Sequence, residues 1–197
     1  MVYSPPMRVL TFDIETANWL GDPGVEDYKG LKIALVGTHD SLTGEYDSFL
    51  EADFPRLWKI MEEVDALVGF NSDHFDIPLL NKYYPGDLAR IKSIDLMVEV
   101  QKVIGRRMRL DALAEGTLGK KKSGHGGQSI VWWRAGEVEK VRKYCLKDVE
   151  LTRDLFDHAL QHGNLKYKEL GRTQEVKLDT SGWLTPASQP MTFTLGF

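Results

Sequence analysis

Cysteine is all but missing, with Cys145 the only one in 197 residues. A single thiol excludes an internal disulfide framework and fits a reducing compartment. Long apolar runs are missing as well. No stretch approaches the ~20 residues that a membrane-spanning helix needs. Met1 to Met7 lacks the charged and apolar regions of a signal peptide. These absences predict a cytoplasmic protein with no membrane partner. There are no internal repeats. A strong net charge is also lacking, and at −4 the bulk balance does not by itself mark a nucleic-acid binder.

What is present reads as one ordinary globular domain. The apolar share is 42% and the charged share 27%, and the length suffices for a sizeable core. The cations are unevenly spread. Lys102, Arg106, Arg107 and Arg109 cluster, and Lys120-Lys121-Lys122 follows. Such clusters are an electrostatic footprint for phosphates, although most charge runs are solvated surface.

The local pattern predicts strands over 7–13, Leu31 to Thr38 and Glu45 to Leu50, joined by a loop over 16–30 and a turn at Ser41 to Gly44. These three form an antiparallel meander. Asp53 reads as the N-cap of a helix with Pro55 in its first turn and an apolar stripe of Leu57, Trp58, Ile60, Met61 and Val64. A buried strand over Ala66 to Phe70 precedes a helix from Asp76 to Tyr84, stopped by Pro85-Gly86. A strand over 91–94 runs into a helix from Asp95 to Ile104, and another helix spans Leu110 to Gly119. Residues 120–129 read as a basic, glycine-rich loop, and a last long helix runs from Gly136 to His162. Three strands followed by strand–helix alternation predict an α/β fold. Its mixed five-stranded sheet has three antiparallel strands, then two parallel ones, and helices on both faces. The pattern changes after Asn164. Residues 1–164 form the expected domain, and 165–197 an arm in which Leu165 to Leu178 is a hairpin or an extended segment.

Chemistry concentrates in three acidic segments. Thr11-Phe12-Asp13-Ile14-Glu15-Thr16 follows the first strand run. Alternation along a strand points Asp13 and Glu15 the same way, with Phe12 and Ile14 turned into the core. Two adjacent carboxylates repel each other unless something neutralises them, and a hard divalent cation does so. The plain alternative is a strand end with two solvated acids. Asp76 lies just past a buried strand at a helix start, where it also reads as an N-cap. Tyr144 and Asp148 are four apart on the long helix and share a face.

Taken together these segments resemble the DEDD, or DnaQ-like, 3′–5′ exonucleases of the ribonuclease-H-like superfamily. Asp13-x-Glu15 is similar to the first motif of that family, Asn71 with Phe75-Asp76 to the second, and Tyr144-x-x-x-Asp148 to the third in its tyrosine version. The resemblance covers residues 7–162. Predicted ribonuclease-H-like exonucleases and the proofreading domains of family B polymerases are the nearest kinds. It implies a ribonuclease-H-like fold and hydrolysis of single-stranded DNA or RNA from the 3′ end, DNA favoured, with release of nucleoside 5′-monophosphates. It also implies two divalent ions, Mg²⁺ or Mn²⁺, about 3.5–4 Å apart, and a replication or repair protein as partner. Within that pattern Asp13 bridges both ions, Glu15 and Asp148 hold the one carrying the nucleophilic water, Asp76 supports the other, and Tyr144 orients the water. A phenol with an ordinary pKa near 10 positions water rather than deprotonating it.

Other residues carry weaker expectations. Thr16, Asn71, Arg107, Lys120, Lys121 and Lys122 are candidate substrate contacts; Asn71 alternatively braces its loop. Trp19 and Tyr28 either stack on a base or pin the loop after the first strand. His74 reads as a loop residue, and Asp73 as a less fitting second-motif acid than Asp76. Asp154, His158 and His162 share a helix face that a zinc ion could use, although histidines also suit a helix C-terminus. Trp132-Trp133 reads as helix packing rather than base stacking. Gln189 to Phe193 is weakly similar to peptides that dock bacterial sliding clamps, with Pro190 and Thr192 where apolar residues are usual. An RNA-trimming exoribonuclease and a non-catalytic nucleic-acid-binding module of the same fold are the competing functions.

Overall fold

The computed structural model describes residues 7–120 and 127–185. The chain begins with β1 (Val9–Thr16), β2 (Ile33–Asp40) and β3 (Tyr46–Phe49). It continues through α1 (Phe54–Glu63), β4 (Ala66–Gly69), α2 (Asp76–Leu80), β5 (Lys92–Asp95), α3 (Leu96–Ile104) and α4 (Leu110–Leu118). α5 (Gln128–Arg134), α6 (Val138–His162) and a hairpin of β6 (Asn164–Glu169) and β7 (Arg172–Lys177) complete it. The main sheet has the order β3-β2-β1-β4-β5. β1, at its centre, pairs antiparallel with β2 and parallel with β4, and β4 pairs parallel with β5. This is the mixed five-stranded sheet expected, with helices on both faces.

Alternation along β1 sorts the two faces. Leu10, Phe12 and Ile14 pack with Phe54, Leu57, Trp58 and Met61 of α1 and with Leu79 and Leu80 of α2. On the other face Val9 joins Ala66, Val68 and Ile94, covered by α3, α4 and the C-terminal half of α6. The hairpin packs into this same cluster through Leu165, Tyr167 and Val176, and Trp183 stacks on Phe156 with ring centroids 5.6 Å apart. No helix among the described residues is long and apolar enough to cross a membrane.

Several boundaries differ from the sequence reading, each for a local reason. β1 runs on to Thr16, because its pairing with β2 continues through Glu15↔Leu35; both acids therefore sit on the strand itself. The Asp53 carboxylate accepts from Leu50 N and so caps the turn before α1 rather than α1. α2 stops at Leu80, since Lys82 and Tyr83 bond back only three residues and the Asn81 side chain accepts from Leu88 N. α5 is an element the sequence reading merged into its loop and connector. Trp132 and Trp133 pack beside Val141 and Cys145 of α6, the helix packing expected of them.

Candidate active site

Asp13 lies opposite Gly37 in the β1–β2 register. A Cβ at Gly37 would stand 2.8 Å from Cys145 Sγ and 3.3 Å from Val149 Cγ2. The missing side chain lets α6 settle directly on the sheet beside Asp13. Cys145 Sγ then lies 3.4 Å from the Asp13 carbonyl oxygen and 3.6 Å from Asp13 Oδ2. Tyr144 and Asp148, one helical turn apart, are both buried on α6. The Trp132 ring meets the Tyr144 ring edge-on at 5.9 Å, which holds the phenol in place.

The third wall is the loop from β4 to α2. Asn71 adopts a left-handed backbone, φ 65°, a conformation asparagine tolerates better than most residues. Asp95, the N-cap of α3, holds this loop. Its Oδ1 accepts from Asn71 N at 2.8 Å and Met97 N at 3.0 Å, and its Oδ2 from Asp73 N at 3.0 Å. Burial raises the Asp95 pKa, and these backbone bonds oppose the shift. The loop delivers Asp76 to the start of α2, where Asp76 Oδ1 accepts from Ile14 N at 3.1 Å. That bond ties α2 to β1 between Asp13 and Glu15. Asp76 is the first residue of α2 after the N-cap Phe75, so it does not cap its own helix as the sequence suggests.

Asp13, Glu15, Asp76, Tyr144 and Asp148 all line one cavity of 360 Å³, together with Ile14, Phe70, Asn71 and Phe75. No cationic side chain lines it among the described residues. Burial first, then the Asp13 charge, pushes the Asp76 carboxyl well above the usual carboxylate range. Burial, then the charges of Asp13, Glu15 and Asp148, pushes the Cys145 thiol well above its ordinary value, so it stays protonated.

The secondary candidates are placed as follows. Asn71 lines the cavity, and Arg107 Nη2 donates to Asn71 Oδ1. Thr16 ends β1, half-buried, outside the lining. Lys120 is turned to α6, pairing with Glu150 at 2.9 Å and Asp154 at 2.5 Å. Lys121, Lys122 and the peptide from Gln189 to Phe193 lie outside the described residues. His74 is exposed, and Asp73, also exposed, accepts from Ser93 Oγ. Asp154 is engaged by Lys120 and Arg153 rather than by His158 or His162. The ring of Trp19 lies against Gly127 at the start of α5, pinning the loop while remaining 39% exposed. Two residues of the site escaped sequence reasoning. Asp95 works through backbone amides, which leave no residue signature. Cys145 is signalled only by its place next to Tyr144.

The donor set fits hard divalent ions. Four carboxylates converge on a cavity that no cation among the described residues lines, and one of them, Asp76, is buried against Asp13. Oxygen ligands of this kind suit Mg²⁺ or Mn²⁺. Ligand atoms of Asp13, Glu15 and Cys145 all lie within 4.8 Å of one another.

Comparison with known proteins sets this geometry in context. A family model described as the RNase_H superfamily (RNase_H_2) matches residues 10–160. Among solved structures, the family B DNA polymerase from the hyperthermophilic archaeon Pyrobaculum calidifontis is similar at a TM-score of 0.62 and 22% identity. The match covers 81% of this chain and 25% of the polymerase, so the chain spans a quarter of that protein's length and the likeness is one of fold. No curated protein matches the chain.

Proposed function

The chain belongs to the RNase_H superfamily, and we propose that it is a metal-dependent 3′–5′ exonuclease of the tyrosine DEDD type, acting on single-stranded nucleic acid with DNA favoured. The observation that carries this reading is the convergence of Asp13, Glu15, Asp76, Tyr144 and Asp148 on one cavity. A pair of solvated acids at a strand end would not draw in two more acids and a phenol from two other elements.

The chemistry follows from what phosphodiester cleavage requires. The scissile phosphate is anionic and repels hydroxide. Asp13, Glu15, Asp76 and Asp148 would hold Mg²⁺ or Mn²⁺. Such ions, when bound, supply charge neutralisation at the phosphate and a nucleophile at neutral pH. Tyr144 hydrogen-bonds the attacking water through its phenol and sets its line of approach. The Trp132 contact limits the arc of that phenol, and the Asp76 bond to Ile14 N fixes the β1 acids relative to α2. Cleavage of the terminal linkage releases a nucleoside 5′-monophosphate.

The test is a gel assay with purified protein, Mg²⁺ or Mn²⁺, and matched 5′-labelled single-stranded DNA and RNA. The expected result is a ladder shortening from the 3′ end. Asp13→Ala and added chelator should each abolish it, at a cost of at least about 10³-fold in rate. Loss on that scale is typical when a group acting on the transition state is removed. Binding of either strand without cleavage would replace the enzyme with a binding module.

A further inference from the structure

We propose that Arg107 is the phosphate clamp of this cavity, and that its guanidinium binds the phosphodiester next to the scissile one, aimed there by Asn71. The inference rests on the exonuclease reading and adds to it a subsite for the strand behind the 3′ end.

The argument starts with three arginines in one short loop. α3 ends at Ile104, Gly105 turns the chain with φ 74°, and α4 starts at Leu110. Arg106 pairs with Glu169 of the hairpin at 2.6 Å, its guanidinium 5.5 Å above the Tyr167 ring. Arg109 pairs with Asp111. Both charges are thus matched by carboxylates. Arg107 donates to the Asn71 side chain, an uncharged amide that neutralises none of its charge. A guanidinium carries five donors in a planar fork suited to phosphate oxygens.

The position of that charge decides its use. Asn71 lines the cavity, whereas Arg107 is exposed and does not. Arg107 therefore stands beside the carboxylates without joining them. A strand whose 3′-terminal linkage lies among the acids must carry its neighbouring phosphate past the outer edge. Its entry is opposed by four carboxylates, and no cation among the described residues lines the cavity. Arg107 supplies a positive charge at that edge, through its bond to the cavity-lining Asn71. The direction of its side chain is set in two stages. Asp95 holds the Asn71 backbone in its left-handed turn, and the Asn71 amide then holds Arg107. Lys120 does not serve this edge, because its ammonium is bound between Glu150 and Asp154.

The experiment compares two substrates and one binding measurement. A single-stranded oligonucleotide has a second phosphate; the p-nitrophenyl ester of thymidine 5′-monophosphate has one only. Arg107→Ala should lower kcat/KM on the oligonucleotide about tenfold relative to the ester, the loss expected for one charge-assisted contact. Arg107→Lys should recover part of it. In chelator, the slope of log binding constant against log salt should shrink by about 0.7 in Arg107→Ala, one phosphate contact on a single strand. Equal losses on the two substrates, or an unchanged salt slope, would overturn the proposal. Wild-type protein that cleaves neither substrate would remove the exonuclease reading instead. The salt slope would then still decide whether Arg107 holds a phosphate.

Discussion

Asp76 is 5% exposed and stands against Asp13, so folding opposes its ionisation. The native state therefore keeps a proton that the unfolded chain has lost once pH rises above the ordinary carboxylate value near 4. Stability follows the difference in bound protons. It should fall as pH climbs from that ordinary value to the raised native one, and level off above it. Asp76→Asn removes the titrating group. Its amide oxygen can still accept from Ile14 N, and its NH₂ group can donate to the Asp13 carboxylate. In chelator at neutral pH the variant should melt higher than wild type by about 3 °C, the shift expected for about 1 kcal/mol in a chain of this size, and with a flatter pH profile. Melts from pH 5 to 8 decide it; a lower melting temperature for the variant would show that the carboxylate is stabilising even without metal. At this scale strand alternation put Asp13 and Glu15 on one face and helical spacing put Tyr144 and Asp148 on another, but only the resemblance to a known family joined them with Asp76 into one expected site. Asp95 was not legible, because what it holds is the backbone of Asn71 and Asp73, and any residues but proline there would offer the same N–H groups.

α6 and β2 meet where Gly37 has no side chain, and that contact places Tyr144 and Asp148 over β1. Gly37→Ala would set a methyl 2.8 Å from Cys145 Sγ and 3.2 Å from Leu146 Cδ2. Cys145 and Val149 are fully buried and cannot swing away, so the helix must lift. Overpacking of this kind costs about 1–3 kcal/mol. Denaturant melts should show that loss. Cleavage measured well below the melting range should also fall, because the lifted turn carries both Tyr144 and Asp148. Normal activity at reduced stability would mean that the helix slides without disturbing them. The long elements were readable from periodicity, α6 above all. α2 was read four residues too long, since Asn81 turns its side chain to Leu88 N instead of continuing the helix. α5 was missed because its seven residues follow directly on a glycine-rich stretch and carry too few periodic positions to stand out.

Across the whole molecule, one sheet separates two apolar layers, and the cavity opens where β1, α2 and α6 converge. The make-up of the sheet was legible because a short turn joins β2 to β3 and helix-containing connections lead into the parallel β4 and β5, although a long loop separates β1 from β2. The change of pattern after Asn164 was legible too, but not what the following hairpin covers, because its apolar residues alternate with exposed charges over only a few positions. Thr117 Oγ1 accepts from Lys166 N at 2.8 Å and donates to Lys166 O at 2.9 Å. A Cβ at Gly116 would lie 2.4 Å from the Lys166 carbonyl oxygen, so α4 and β6 touch backbone to backbone. Beyond the hairpin, Lys92 Nζ donates to the carbonyls of Gly182 and Thr185 and fixes Trp183 over Phe156. Removing Trp183 alone should cost about 3–5 kcal/mol, the usual penalty for deleting a buried aromatic. Ending the chain after Gly163 would also strip Leu165, Tyr167, Val176 and Leu178 from Leu113, Ala114 and Leu155. A domain stable by about 5–15 kcal/mol does not survive a loss of that size. The shortened chain should therefore show no cooperative thermal transition and no near-ultraviolet circular dichroism, while Trp183→Ala should still unfold cooperatively at a lower temperature. A shortened chain that melts cooperatively and still trims a labelled strand would make the hairpin an accessory to a core that closes without it.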